Sequence, residues 1–293
     1  MSELLIYVAL ALLGVCLGSF AGATVWRLRA HQLVDDKANG EKVDSRELKK
    51  LSKLTKGYLL KDRSRCLNCT YTLRWYDLIP VVSWLALRGK CRSCRKPIGK
   101  FELLMELGVG LFFVLSYALW PLALSSGLDV THFVLWLIAG VAMAILFAYD
   151  AKWFLLPDKV SLVLAVVGVV IVAVSAINTQ DVFATIASAV GSVAVLSGIY
   201  LVIYHISKGR WVGFGDVKLG VGLGLILIDW QLALIALFFA NLIGVLIVVP
   251  LLIIGKLERS SHVPFGPLLM AGMVTAWFVG WPIFNWYVGL LGV

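Results

Sequence analysis

The chain has 293 residues, of which 60% are apolar and 15% charged, with a mean hydropathy of +0.92. A soluble domain lies nearer half apolar and a quarter charged, so this composition indicates a membrane protein. It excludes disorder, collagen and a disulfide-rich secreted scaffold. The net charge of +9 raises nucleic acid as a partner. Its distribution argues otherwise, because residues 27–100 carry a net +12 and the rest of the chain −3. One basic extramembrane segment is joined to an apolar body, and no nucleic acid is expected.

A bilayer span needs about 20 mostly apolar residues. Such runs fall at 4–26, 102–124, 130–149, 159–177, 182–204, 217–229, 231–255 and 265–291, the sixth being short and ending at Asp229 and Trp230. The first run reads as an anchor rather than a cleaved signal, because Met1, Ser2 and Glu3 carry no basic residue and the positive charge follows the run. With the N-terminus outside, the Lys and Arg residues fall in or beside 27–101, 150–158, 205–216 and 256–264. The opposite loops carry Glu3, Asp129, Asp181 and Asp229 and no basic residue, as the positive-inside rule requires. Omitting the sixth run would place Lys256 and Arg259 on the wrong side. The expectation is an all-α polytopic membrane protein of about eight transmembrane helices. It divides into a first helix (1–26), a cytoplasmic loop (27–100) and a seven-helix body (101–293).

The loop has two parts. Residues 30–62 are charged and poor in apolar residues, which suggests a solvated insertion, helical or mobile, without chemistry of its own. Residues 63–100 are punctuated by Cys, Gly and Pro. Cys66 and Cys69 form one C-x2-C pair, Cys91 and Cys94 another, with 21 residues between them. Each pair can present two thiolates to one ion, and two pairs complete the tetrahedral site that zinc prefers. A reducing cytosol disfavours disulfides. Lys90, Arg92, Arg95 and Lys96 would offset the charge of four thiolates on zinc. Free thiols, a redox pair and a nucleic-acid-binding ribbon are the alternatives. Cys16, alone in the first run, reads as a packing residue.

Two acids stand at the ends of apolar runs, where ionisable residues are functional candidates. Asp150 closes the third run, and Asp216 opens the sixth in Gly213-Phe214-Gly215-Asp216-Val217-Lys218-Leu219. The topology puts both at the cytoplasmic surface. Two carboxylates that share a proton and hold a water are the minimum apparatus for aspartyl hydrolysis, one as base and the other, protonated, polarising the scissile carbonyl. Gly213 and Gly215 would let a substrate backbone approach and permit unusual dihedrals. Gly220-x3-Gly224 suits close helix packing. Alternatively, the acids are interfacial caps or partners of Lys152 and Lys218. Asp158, after Pro157, favours the dipole of the fourth helix. His31, His132, His205 and His262 are scattered, which gives no support to a Ser-His-Asp or Cys-His enzyme. A proton- or cation-coupled transporter with a cytoplasmic zinc ribbon is the rival from another class, but the acids lie at one face and no inverted repeat is evident. A purely structural zinc-ribbon adaptor leaves both acid motifs unexplained.

Taken in order, the chain resembles the bacterial type IV prepilin peptidases, or leader peptidase/N-methyltransferases, of the GxGD aspartic protease class. The resemblance rests on Gly18-Ser19-Phe20 with Arg27-Leu28, both cysteine pairs, Asp77 to Trp84, Arg88 to Cys91, Pro97-Ile98 and Glu106. In the body it rests on Asp150, Leu156-Pro157-Asp158, the segment Gly213 to Leu219, and Pro264-Phe265-Gly266-Pro267. It implies that Asp150 and Asp216 are the catalytic pair, removing the basic leader of type IV prepilins and pseudopilins at the cytoplasmic face of the bacterial inner membrane. It also implies S-adenosylmethionine as donor for methylating the new N-terminus, with structural zinc in the loop. Arg29 and Leu67 stand where the family usually has Pro, and Gly22 where Asn is frequent.

Overall fold

The computed structural model describes residues 3–55, 63–256, 258 and 263–291. Arg259 and His262, used in the reading above, lie outside them. The elements among the described residues are helices; the only strand-like pairings are the isolated bridges Arg65 to Thr72 and Lys90 to Pro97. The chain forms two compact units, Met1–Ala118 and Leu119–Val293.

In the first unit, α1 (Glu3–Ala38) runs for 36 residues, twelve beyond the end of the apolar run. Nothing in residues 27–38 breaks a helix, so it continues after the bilayer requirement ends. It stops at Gly40, whose φ of +80° suits a residue without a Cβ. Then α2 (Ser45–Leu51) begins at Asp44, whose carboxylate accepts the amides of Arg46 and Glu47. Ala30 and Leu33 of α1 pack on Leu51 and Leu54, with Leu67 against them. The solvated insertion expected for 30–62 is therefore corrected for its described part: it closes a small apolar core. The periodic apolar positions were outnumbered by charge, which hid them. A short α3 (Val82–Ala86) lies between the cysteine pairs, and α4 (Phe101–Ala118) packs along α1. Gly14 and Gly18 make that approach possible, since a Cβ on Gly14 would stand 2.8 Å from the Gly110 Cα, and on Gly18 2.5 Å from the Met105 carbonyl oxygen. The sequence division groups α4 with residues 101–293; in the structure it belongs to the compact unit of α1.

The second unit contains α5 (Gly127–Trp153), α6 (Asp158–Thr179), α7 (Val182–Val193), α8 (Ile199–Ser207), α9 (Phe214–Leu227), α10 (Trp230–Ile253) and α11 (Phe265–Leu291). A π-turn at Ala194–Gly198 joins α7 to α8 as one membrane-length helix. Seven described helices are long and apolar enough to cross a membrane. The remaining expected span, the short sixth run, is α9, with 14 residues, about 21 Å at 1.5 Å per residue. Bundle packing explains how so short a helix is accommodated. Leu219, Leu223, Ile226 and Leu227 are fully buried, Gly222 lies against Leu164 of α6, and Gly220 and Gly224 lie against the backbone at Leu196 and Val193. The close packing expected of Gly220-x3-Gly224 is thus present. Leu162, Val169 and Leu246 are left exposed on α6 and α10, the surface a bilayer covers.

Candidate active site and metal centre

The four thiols that the spacing singles out converge. The Sγ atoms of Cys66, Cys69, Cys91 and Cys94 all lie within 4.8 Å of one another. Across the two pairs, Cys66 to Cys94 is 4.0 Å and Cys69 to Cys91 is 3.9 Å. Thiolates bound about 2.3 Å from one zinc ion stand about 3.8 Å apart, so the set fits a tetrahedral ion. The two knuckles are built alike. Cys66 donates its amide to the Tyr71 carbonyl and Cys91 to that of Lys96. Thr70 and Arg95, each following the second cysteine of its pair, take positive φ of 60° and 56°. Without metal the thiols are unequal: burial pushes Cys66 up to about 12, whereas the Tyr71 amide draws Cys69 down to about 7. Of the basic residues expected to balance the thiolates, Arg92 instead holds Asp77 at 2.7 Å and lies over the Tyr76 ring.

Beside the ribbon, within the same unit, lies a cavity of about 280 Å³ between α1, α4 and α3. Its lining includes Trp26, Arg27, Trp84, Glu102 and Glu106. Sequence reasoning left the methyl-donor contacts unassigned, and no spacing signal points to this cavity.

The second unit brings together the two acids. Asp150, on the last turn of α5, is 5% exposed, and its Oδ2 accepts the Gly266 amide at 3.1 Å. Asp216, in the first turn of α9, is half-buried, and its Oδ2 accepts the Gly213 amide at 3.2 Å. Gly266 brings the end of α5 beside the helix that Asp216 opens, since a Cβ there would stand 2.7 Å from Asp150 Oδ2 and 3.5 Å from Leu219 of α9. Tyr200 of α8 is buried and packs its ring against Phe265. Each acid thus commits one oxygen to a backbone amide and leaves the other for a reactant. Tyr200 and Gly266 were not singled out as site residues; Gly266 stood in a quoted motif, while nothing local marks Tyr200.

Three expectations meet different outcomes. Gly213 has φ −76°, and Gly215 is not among the residues of positive φ, so unusual dihedrals are not their purpose. Gly215 gives space instead, since a Cβ there would stand 3.2 Å from that of Leu156. Lys218 pairs with Asp158 at 2.7 Å, which removes it as the partner of Asp216 and gives Asp158 a role besides the helix dipole. Lys152 lies over the Trp153 ring. His132 is buried among Trp120 and Trp277, and His205 meets the Leu201 carbonyl.

A helical bundle with paired carboxylates at helix ends, joined to a four-cysteine ribbon, is the class of a polytopic membrane peptidase with a metal-binding domain. Comparison with known proteins agrees. Residues 12–120 match the family model of the bacterial peptidase A24 N-terminal domain, and residues 137–249 that of the type IV leader peptidase family. A prepilin leader peptidase/N-methyltransferase of Aeromonas hydrophila is 32% identical over 234 residues, 78% of this chain and 76% of that protein. The protein of that name from Pseudomonas aeruginosa is 30% identical over 268 residues, covering 90% and 87% of the two chains. That from Stutzerimonas stutzeri is 29% identical over 270 residues, covering 89% and 87%. No solved structure matches the chain. The chain belongs to the prepilin leader peptidase/N-methyltransferase family, which sets aside the transporter alternative.

Proposed function

We propose that this protein cleaves the basic leader of type IV prepilins and pseudopilins with Asp150 and Asp216 and methylates the N-terminus so exposed. The observation that carries the peptidase half is that two carboxylates on adjoining helix ends each have one oxygen anchored by a backbone amide, with Gly266 against both Asp150 and Leu219 of α9. The unprotonated acid takes a proton from water, whose oxygen bonds to the scissile carbonyl carbon. The protonated partner hydrogen-bonds the carbonyl oxygen, and the departing amine leaves with a proton from the pair. The half-buried face of Asp216 gives an extended substrate access, while Gly215 lets Leu156 pack beside it.

The positive-inside distribution supports a placement in the bacterial inner membrane with the N-terminus outside and the acids and ribbon in the cytoplasm. There the substrate's apolar helix stays in the bilayer while its cationic leader reaches the acids. Cys66, Cys69, Cys91 and Cys94 would hold zinc as a structural ion, because four thiolates leave no position for water. S-adenosylmethionine would supply an electrophilic methyl group. The basic loop also suits acidic lipid headgroups.

The test is co-expression with a tagged prepilin in bacterial membranes, comparing wild type with Asp150→Asn and Asp216→Asn. Each amide keeps the shape and removes the ionisable carboxyl. Leader removal, read as a mass shift, should fall by about 10²–10⁴-fold, the usual contribution of a positioned acid or base. Methylation of a pre-cleaved substrate should persist. Cleavage by both variants at the wild-type rate would make the acids structural.

A further inference from the structure

The methyl donor is a sulfonium nucleoside, so its site must accommodate a cationic sulfur, an aromatic base, a diol and an amino-acid end. The cavity of the first unit offers groups of each matching kind. Trp26 and Trp84 are aromatic groups suited to a base or a cation, and Glu102 is a carboxylate whose Oε1 accepts the Trp26 indole N–H. Arg27, with Lys50, Arg63, Arg65 and Arg92 also in the lining, suits the carboxylate of the amino-acid end. Its volume of about 280 Å³ lies at the lower edge of the range for small-molecule sites, roughly 300–1,000 Å³. Its place in the fold also fits the acceptor. Ser19 and Ala23 line it from α1 at the end of the first apolar run. A leader-cleaved substrate presents its new amine at the end of an apolar helix, and so at a corresponding depth.

One wall of the cavity is held by an unusual contact. Val81 has φ 60° and ψ −52°, and the amide of Val82 reaches back to the Pro80 carbonyl at 2.5 Å. That is a γ-turn of the rare, strained hand, centred on a β-branched residue. Glu106, 7% exposed on α4, accepts the Val81 amide at 2.7 Å across 25 residues of chain. Strain of this kind persists where the surroundings enforce it, and it concentrates at functional sites. The turn launches α3, whose Ser83 and Trp84 line the cavity, followed by Leu87.

We propose that this cavity binds the methyl donor, and that Glu106 is a positioning residue that fixes its α3 wall through Val81. The proposal rests on the methyltransferase half of the function above. The transfer breaks the donor's S–CH3 bond and forms an N–CH3 bond at the new N-terminus; the sulfonium leaves as a neutral thioether and the amine releases one proton. Glu106 acts in none of these steps. It holds a backbone amide, which a carboxamide oxygen can also do.

The experiment uses the full chain, zinc-loaded in detergent, with S-adenosylhomocysteine as probe and calorimetry as readout. Zinc content and prepilin cleavage are measured on the same samples. Ala23→Phe, which fills the cavity, and Glu106→Ala should each weaken binding about tenfold or more, a decade of Kd. Glu106→Gln should restore nearly wild-type affinity, and all three variants should keep zinc and cleave normally. Unchanged affinity in Ala23→Phe overturns the placement. Equal losses in Glu106→Gln and Glu106→Ala overturn the positioning role, and loss of zinc with affinity in both Ala23→Phe and Glu106→Ala makes the wall merely structural. A raised KM for prepilin with unchanged probe binding assigns the cavity to the leader instead. If wild type neither binds the probe nor methylates, the methyltransferase reading itself fails; methylation by wild type with normal binding in the variants sinks only the placement.

Discussion

The two compact units gather their chemistry in opposite ways. In Met1–Ala118 the candidate metal ligands come as two near-neighbour pairs, and each knuckle is shaped by its own few residues. In Leu119–Val293 the acids are 66 residues apart, and they meet only because α9 is enclosed by its neighbours. The two family matches fall on the same two parts of the chain. A site built locally should fail locally, whereas a site built by packing should be sensitive to small shifts in helices that carry no chemistry.

Metal removal gives the largest expected separation. Structural zinc contributes about 10–16 kcal/mol in small zinc-dependent peptides, so chelation or Cys66→Ser should unfold the ribbon and bring methylation to background. Cleavage should survive in the same membranes. Once zinc is stripped and the ribbon unfolds, the burial that raises Cys66 and the amide bond that lowers Cys69 are both lost. Iodoacetamide at pH 7–8 should then label the two at similar rates, whereas an apo ribbon that stayed folded would label Cys69 first. Peptide mass mapping reads the order. Equal loss of cleavage on chelation would show that the units do not work separately.

In the second unit the corresponding change is Gly266→Ala. A Cβ there would stand 2.7 Å from Asp150 Oδ2 and 3.5 Å from Leu219. The flexible carboxylate is what can move, so the fold should hold while the acid shifts. Misplacement of a reacting group by about 1 Å costs about 10²-fold in rate, and cleavage should fall by that order. Methylation of a pre-cleaved substrate, measured in parallel, should not change.

The same contrast decides what the sequence reveals. Apolar runs gave seven membrane-length helices and marked α9 as the short one, because span length is set by bilayer thickness and leaves a compositional trace. The cysteine pairs were legible because zinc geometry requires that spacing. Asp150 and Asp216 were legible because acids at the ends of apolar runs stand out. Tyr200 carries no periodic or local signal, and although Gly266 and Glu106 stand in recognisable segments, their bonds to Asp150 and Val81 were not legible because each is fixed by a tertiary contact. The reason given for Gly213 and Gly215 failed in a related way: glycine in a motif signals conformation or space, and spacing does not say which. Gly14-x3-Gly18 on α1 was missed although it is as regular as Gly220-x3-Gly224.

Smaller effects should come from the insertion. Leu51 is 1% exposed in the cluster with Ala30, Leu33 and Leu54. Truncating a buried Leu typically costs about 2–5 kcal/mol, so Leu51→Ala should loosen residues 45–54. Hydrogen exchange across that segment should accelerate by orders of magnitude, with zinc content and cleavage unchanged. Protection as in wild type would return the segment to the solvated insertion that its composition suggests.

The smallest expected effect concerns Arg29, where the resemblance drawn from the sequence leads one to expect Pro. A Pro at that position would lack the amide that a helix interior requires and would break α1 before its cluster residues Ala30 and Leu33. Arg29 lets the helix continue, and its guanidinium reaches Glu47 of α2 at 2.7 Å. Leu67 packs on the same cluster. Arg29 and Leu67 therefore both serve one local feature, the packing of residues 30–54 beside the first knuckle. The pair is only 13% and 23% exposed, so Arg29→Ala leaves a largely buried carboxylate without its guanidinium and should speed exchange in α2 measurably, whereas Arg29→Pro should expose the whole segment. If the two variants behaved alike, the guanidinium rather than helix continuity would hold the insertion. The gap between them measures how far continuity of α1, and not charge, holds the segment that follows position 29.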